Sequence, residues 1–147
     1  MSTASKVRPA LMILLVYFLS TWAAATPVQA QGAVPDITLT CDQPQPIDVY
    51  PGATRSSIIN CRIENPTVHQ EKVRIQIQAG VLAFSGPATM SIGGGSEVSF
   101  QVLVRAELRA PEGQHQVTVS AEVTMANGVP VTSEPSAANV MAIIRQF

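Results

Sequence analysis

Charge is scarce in this sequence. Only 13% of its 147 residues are Asp, Glu, Lys or Arg, about half of the roughly 25% usual in soluble domains. Nine basic residues stand against ten acidic ones, with no basic run or arginine-rich stretch. A nucleic-acid partner is excluded on that ground, because binding phosphates needs clustered cations. Aromatics are also few, at 5% with a single Trp, which leaves little for sugars or bases to stack on. The two cysteines do not form a C-x-x-C pair, so that redox or zinc motif is missing. Hydrophobic residues nonetheless make up 46% of the chain, too many for a disordered composition. The length suits one ordinary domain.

The first segment reads as an address. Lys6 and Arg8 are the only charges before Asp36, and an apolar stretch from Ala10 to Ala25 leads to Val28-Gln29-Ala30. A basic start, a short apolar core and small residues at a cleavage point make a secretory signal. The apolar core is shorter than the ~20 residues of a spanning helix. Residues 1–30 are expected to be a signal-peptide helix cut between Ala30 and Gln31, with Ala23-Ala24-Ala25 as the alternative point. An uncleaved signal-anchor is the other reading, and would be the chain's one membrane contact. No Cys follows the apolar core directly, so a lipid anchor is not expected. Removing Lys6 and Arg8 leaves seven of the nine basic residues against all ten acidic ones, a net charge of −3.

Residues 31–147 show period-two patterning and no helical stripe. Val73, Ile75 and Ile77 alternate with Arg74, Gln76 and Gln78. Val117, Val119, Ala121, Val123 and Met125 alternate with polar residues over a longer run. Such one-sided patterning predicts antiparallel strands with one face in a core. Turn residues separate the runs: Pro51-Gly52, Asn65-Pro66, Gly93-Gly94-Gly95 and Asn127-Gly128. The last of these is the strongest short hairpin signal. About seven short strands with turns between them predict an all-β, immunoglobulin-like antiparallel sandwich filling residues 31–147 as one domain. Val140–Ile144 is apolar on both parities and reads as a last core strand, or else as a strand donated to a neighbouring subunit.

Cys41 and Cys61 both fall on the apolar parity of their strands. An even pair in an exported chain predicts a disulfide, contributing about 3 kcal/mol through the 20-residue loop it closes.

Motifs that carry chemistry are few. Gly94-Gly95-Ser96-Glu97-Val98 lacks the final Gly of a nucleophile elbow, and the glycine run reads as a loop. His69 and His115 have no carboxylate and nucleophile near them in sequence. Met90, Met125 and Met141 are too scattered for copper(I), and Met125 reads as core on parity. Asp36, Asp42 and Asp48 make no calcium loop. Glu64, Glu122 and Arg74 read as a solvated sheet face. No catalytic, cofactor-binding or metal residue is therefore expected, no cofactor is called for, and the chain is not expected to be an enzyme.

One pattern is familiar. Tyr50-Pro51-Gly52, Ile63-Glu64-Asn65, Val73–Ile77, Ile92–Phe100 and Ala110-Pro111-Glu112-Gly113 through Val117 follow one another. Over residues 37–132 this order resembles immunoglobulin-like domains of the NEW3 and CARDB type in prokaryotic exported proteins. The resemblance implies a sandwich used as a spacer, adhesion unit or partner-binding surface. The Cys41–Cys61 pair departs from that pattern.

The expected role is a non-catalytic module, exported to the cell envelope, periplasm or extracellular space and acting on a protein partner there. Alternatives are a carbohydrate-binding module, a pilus-like homo-oligomer built by strand exchange, and a copper carrier.

Overall fold

The computed structural model describes residues 34–147. The expected signal segment and the cleavage between Ala30 and Gln31 lie outside the described residues. Alternating β-branched and polar residues produce ten strands: β1 (Thr38–Cys41), β2 (Ile47–Val49), β3 (Ser56–Glu64), β4 (Glu71–Gln78), β5 (Ala83–Ser85), β6 (Thr89–Ile92), β7 (Glu97–Arg105), β8 (Gly113–Ala126), β9 (Val129–Pro130) and β10 (Ser136–Gln146). One sheet has the order β1-β3-β7-β5 and the other β2-β10-β8-β4-β6, with β9 on the end of β8. Pairing is antiparallel throughout except between β2 and β10. Ile59, Ile63, Val102 and Val104 of the first sheet and Val73, Val117, Val119 and Ile144 of the second lie in the core, none of them exposed.

The all-β immunoglobulin-like sandwich is as expected, but the expected count of about seven strands is too low. Two stretches each divide between the sheets. The chain from Thr38 to Val49 forms β1 in the first sheet and β2 in the second, and the chain from Ala83 to Ile92 does the same with β5 and β6. Both crossings carry proline, at Pro44 and Pro46 and at Pro87, which has no N–H to continue a ladder. Each flank of the sandwich is thereby closed by one segment shared between sheets, which shortens every edge strand. In the first crossing, the Gln43 carboxamide accepts from Met141 N–H at 3.2 Å and donates to the Met141 carbonyl. A side chain there takes the place of a strand.

Turn chemistry is local. Ala53 N–H donates to Tyr50 C=O at 3.1 Å across Pro51-Gly52, with Gly52 at φ 90°. Asn127 and Gly128 both have positive φ, 52° and 78°, the type I′ geometry that suits a right-twisted hairpin.

Met125 does not lie in the core. Register against β4 slips so that Lys72 faces Met125 but Val73 faces Val123, leaving Thr124 as a bulge. A bulge inverts the parity beyond it, so Ala126 is buried and Met125 leaves the core face, only partly buried. On the far edge of β8, between the β9 and β10 pairings, the Ser133 hydroxyl accepts from Val123 N–H at 3.1 Å and donates to Val123 C=O at 3.2 Å.

β10 is the final core strand of its own chain. Val140, Ala142 and Ile144 point inward, while Met141 is exposed.

Candidate interaction surface

Strand directions place two sets of loops at opposite ends of the sandwich. At one end β2 and β10 finish side by side, and Phe147 N–H donates to Val49 C=O at 3.2 Å. Their last side chains meet: Tyr50 and Phe147 pack edge to face with ring centroids 6.4 Å apart. Arg145 donates to Asp48 at 2.8 Å and stands 5.9 Å over the Phe147 ring. The Gln146 carboxamide donates to Ala110 C=O at 2.7 Å, which ties the β7–β8 loop to this corner. That loop presents Leu108, 51% exposed, at the end where Tyr50 (47%) and Phe147 (77%) are also exposed. Arg55, Arg105 and Arg109 lie at the same end and form no ion pair among the described residues.

The other end is acidic and built on a buried polar network. Asn65, 1% exposed, donates to the carbonyls of His69 (2.8 Å), Ile92 (3.2 Å) and Gly93 (3.2 Å). Its own carbonyl accepts from Thr67 N–H at 3.0 Å and Thr67 O–H at 2.7 Å. Glu71, also 1% exposed, accepts from Asp36 N–H at 3.3 Å and lies 3.2 Å from the Thr67 hydroxyl, its second oxygen without a partner among the described residues. These bonds fold the β3–β4 loop onto the glycine run, where Gly95 N–H donates to Thr67 C=O at 2.8 Å. A Cβ on Gly94 would lie 2.4 Å from the Val68 carbonyl oxygen, so the run is a close-packing device. Val68 protrudes at 88% exposure.

Beside this network, Glu64 and Glu97 are direct partners across β3 and β7. Like charges set opposite one another destabilise a sheet, and one arginine, Arg62, serves both at 3.5 and 3.6 Å. A depression of about 470 Å³ opens there, lined by Glu64, Asn65, Pro66, Gly95, Ser96 and Glu97.

Other residues singled out in the sequence are dispersed. Cys41 and Cys61 form a disulfide between register partners of β1 and β3. His115 Nε2 lies 2.7 Å from Pro111 C=O. Arg74 and Glu122 make a cross-strand pair at 2.7 Å on the outer face. Met90, Met125 and Met141 stand on three different strands. Among the described residues no group of three or more His, Cys, Asp or Glu side chains could hold a metal ion. A second depression, of about 440 Å³, lies over β1, β3 and β7, and no exposed aromatic ring lines it. Sequence reading missed Asn65 and Glu71 as buried groups; the signal for Glu71 was its shared parity with Val73 and Ile75.

No family model matches the chain, and no curated protein matches it by sequence. Solved structures do share its fold. The PapD-like domain 7 of human CEP192 is 9% identical with a TM-score of 0.56, over 84% of this chain and 96% of that one. A crystal structure of Escherichia coli alpha-2-macroglobulin matches at 14% identity and TM-score 0.56, covering 77% of this chain but 17% of that much longer one. The cupredoxin domain of amoB from Nitrosocaldus yellowstonii is 12% identical, TM-score 0.50, over 79% of this chain and 90% of that one. At these identities the likeness is one of fold, an immunoglobulin-like and PapD-like sandwich, and function lives in the sites grafted onto it.

Proposed function

We propose that this protein is an exported, non-catalytic immunoglobulin-like module that acts by protein contact through the Tyr50–Leu108–Phe147 end. The observation that carries the reading is the exposed aromatic pair with Arg145 beside it. Aromatic and arginine side chains are enriched where protein interfaces concentrate their binding energy. Export is supported by the leader pattern of residues 1–30 and by a disulfide, which persists in oxidising compartments. Kinship with the NEW3 and CARDB type is supported by turn order alone.

The test is photo-crosslinking in the expressing cell. A photoreactive residue at Leu108 should yield discrete protein adducts, and one at Gln76, on the outer face of β4, should not. Equal labelling at both positions, or none at Leu108, would overturn the proposal. The same preparation, weighed intact, should begin at Gln31.

A further inference from the structure

We infer that the partner at the aromatic end is the acidic end of a second copy, so that the chains associate head to tail. This inference rests on the protein-contact reading above and names its partner.

Charge is divided unequally between the two ends. The aromatic end holds Arg55, Arg105, Arg109 and Arg145 against Asp48, Glu107 and Glu112, and Asp48 is taken up by Arg145. The far end holds Asp36, Glu64, Glu71, Glu97 and Glu134 against Arg62 and Lys72. The first end thus has a slight excess of cations, and the second keeps an excess of carboxylates even with the buried Glu71 set aside. Apolar side chains are exposed at both ends, Leu108 and Phe147 at one and Val68 and Val129 at the other.

The acidic end also breaks a local rule. Glu64 opposite Glu97 with a shared Arg62 leaves a carboxylate uncompensated inside a concave, exposed depression. Natural sequences keep such conflicts where a function repays them. An exposed arginine on a projecting loop would relieve it, and Arg109 is one, next to Leu108. In the contact we infer, Arg109 of one copy enters the Glu64–Glu97 depression of the next, and Leu108 meets Val68. Patches at opposite ends of one molecule make a heterologous contact, which extends as an array. No strand is exchanged, because β10 is held in its own sheet.

The test is sedimentation velocity on the purified full chain with its disulfide intact. In 50 mM salt, average mass should climb with concentration and not stop at two copies. In 500 mM salt, association should weaken by about tenfold or more, as ion-pair contacts are screened. Arg109→Glu and Glu97→Arg should each stay monomeric, and an equimolar mixture should associate again, the intact Arg109 of one variant meeting the intact depression of the other and the reversed pair extending the array past two copies. A wild-type chain that stays monomeric at low salt, or a mixture that fails to recover, overturns the inference. If the wild type is monomeric yet Leu108 still crosslinks one discrete foreign protein, the self-association fails and the contact reading stands. No adduct at Leu108 removes both.

Discussion

Cys41 and Cys61 face each other across neighbouring strands of one sheet, with Cα atoms 4.1 Å apart. They join an edge strand to its own neighbour, unlike the bridge of antibody domains, which spans the two sheets. β1 is only four residues long, so the bridge fastens a strand with few ladder bonds of its own.

Replacing both cysteines with alanine is therefore expected to cost about 3 kcal/mol, or roughly 10–20 °C in melting temperature for a domain of this size. Hydrogen exchange should locate the loss at Thr38–Cys41 before the rest of the sandwich opens. A double variant with unchanged melting temperature and protected β1 amides would contradict this.

Asn65 is the hub of the acidic end. Asn65→Ala removes one carboxamide and strands three carbonyls and the Thr67 donors that it serves. With each net hydrogen bond near 1 kcal/mol and buried orphans costing more, the expected loss is about 3 kcal/mol, measured by urea denaturation. A loss under about 1 kcal/mol would show that solvent reaches these groups.

Gly94 and Gly93 are neighbours with opposite tolerances. An added Cβ at Gly94 meets Val68 backbone at 2.4 Å, whereas at Gly93 it meets only the Ser96 side chain, at 3.4 Å and beyond. Gly94→Ala should destabilise by about 2 kcal/mol or more through forced overpacking, and Gly93→Ala by well under that. Thermal melts of the two variants side by side decide the matter.

Leu108 and Phe147 should separate stability from contact. Both side chains are more than half exposed, so Leu108→Ser is expected to change stability by no more than about 0.5 kcal/mol, and Phe147→Ser, which also loses the edge-to-face contact with Tyr50, by about 1 kcal/mol. Association of the full chain should nevertheless fall at least tenfold, a shift of about 1.4 kcal/mol. Sedimentation together with chemical denaturation reads both quantities.

Strand identity was legible because a residue's face in a strand depends only on its parity. Val73 with Ile75, and Val117 with Val119, landed inside as their alternation required. The Pro51-Gly52 and Asn127-Gly128 turns were equally readable, since each dihedral demand is met by its own residues. Met125 was misread for a related reason: one inserted residue, Thr124, inverts the parity beyond it, and the bulge is defined by register against β4. Pro44 and Pro46 mark a break in the Thr38–Val49 segment, but a break alone does not say that its halves join different sheets. Which sheet each half joined depended on β3 and β10, strands far along the chain.

The sequence by itself determined the strand faces up to the bulge at Thr124, the hairpin turns and the pairing of the two cysteines, because each follows from parity, local dihedral preference or the lack of any other thiol. Tertiary structure alone decided that the bridge lies within a sheet, that Glu64 opposes Glu97, and that Tyr50 meets Phe147. Arg145 and Asp48, 97 positions apart, are brought together at that same corner. Their meeting follows from the parallel pairing of β2 with β10, and that long-range register is set only when the two sheets close over a shared core.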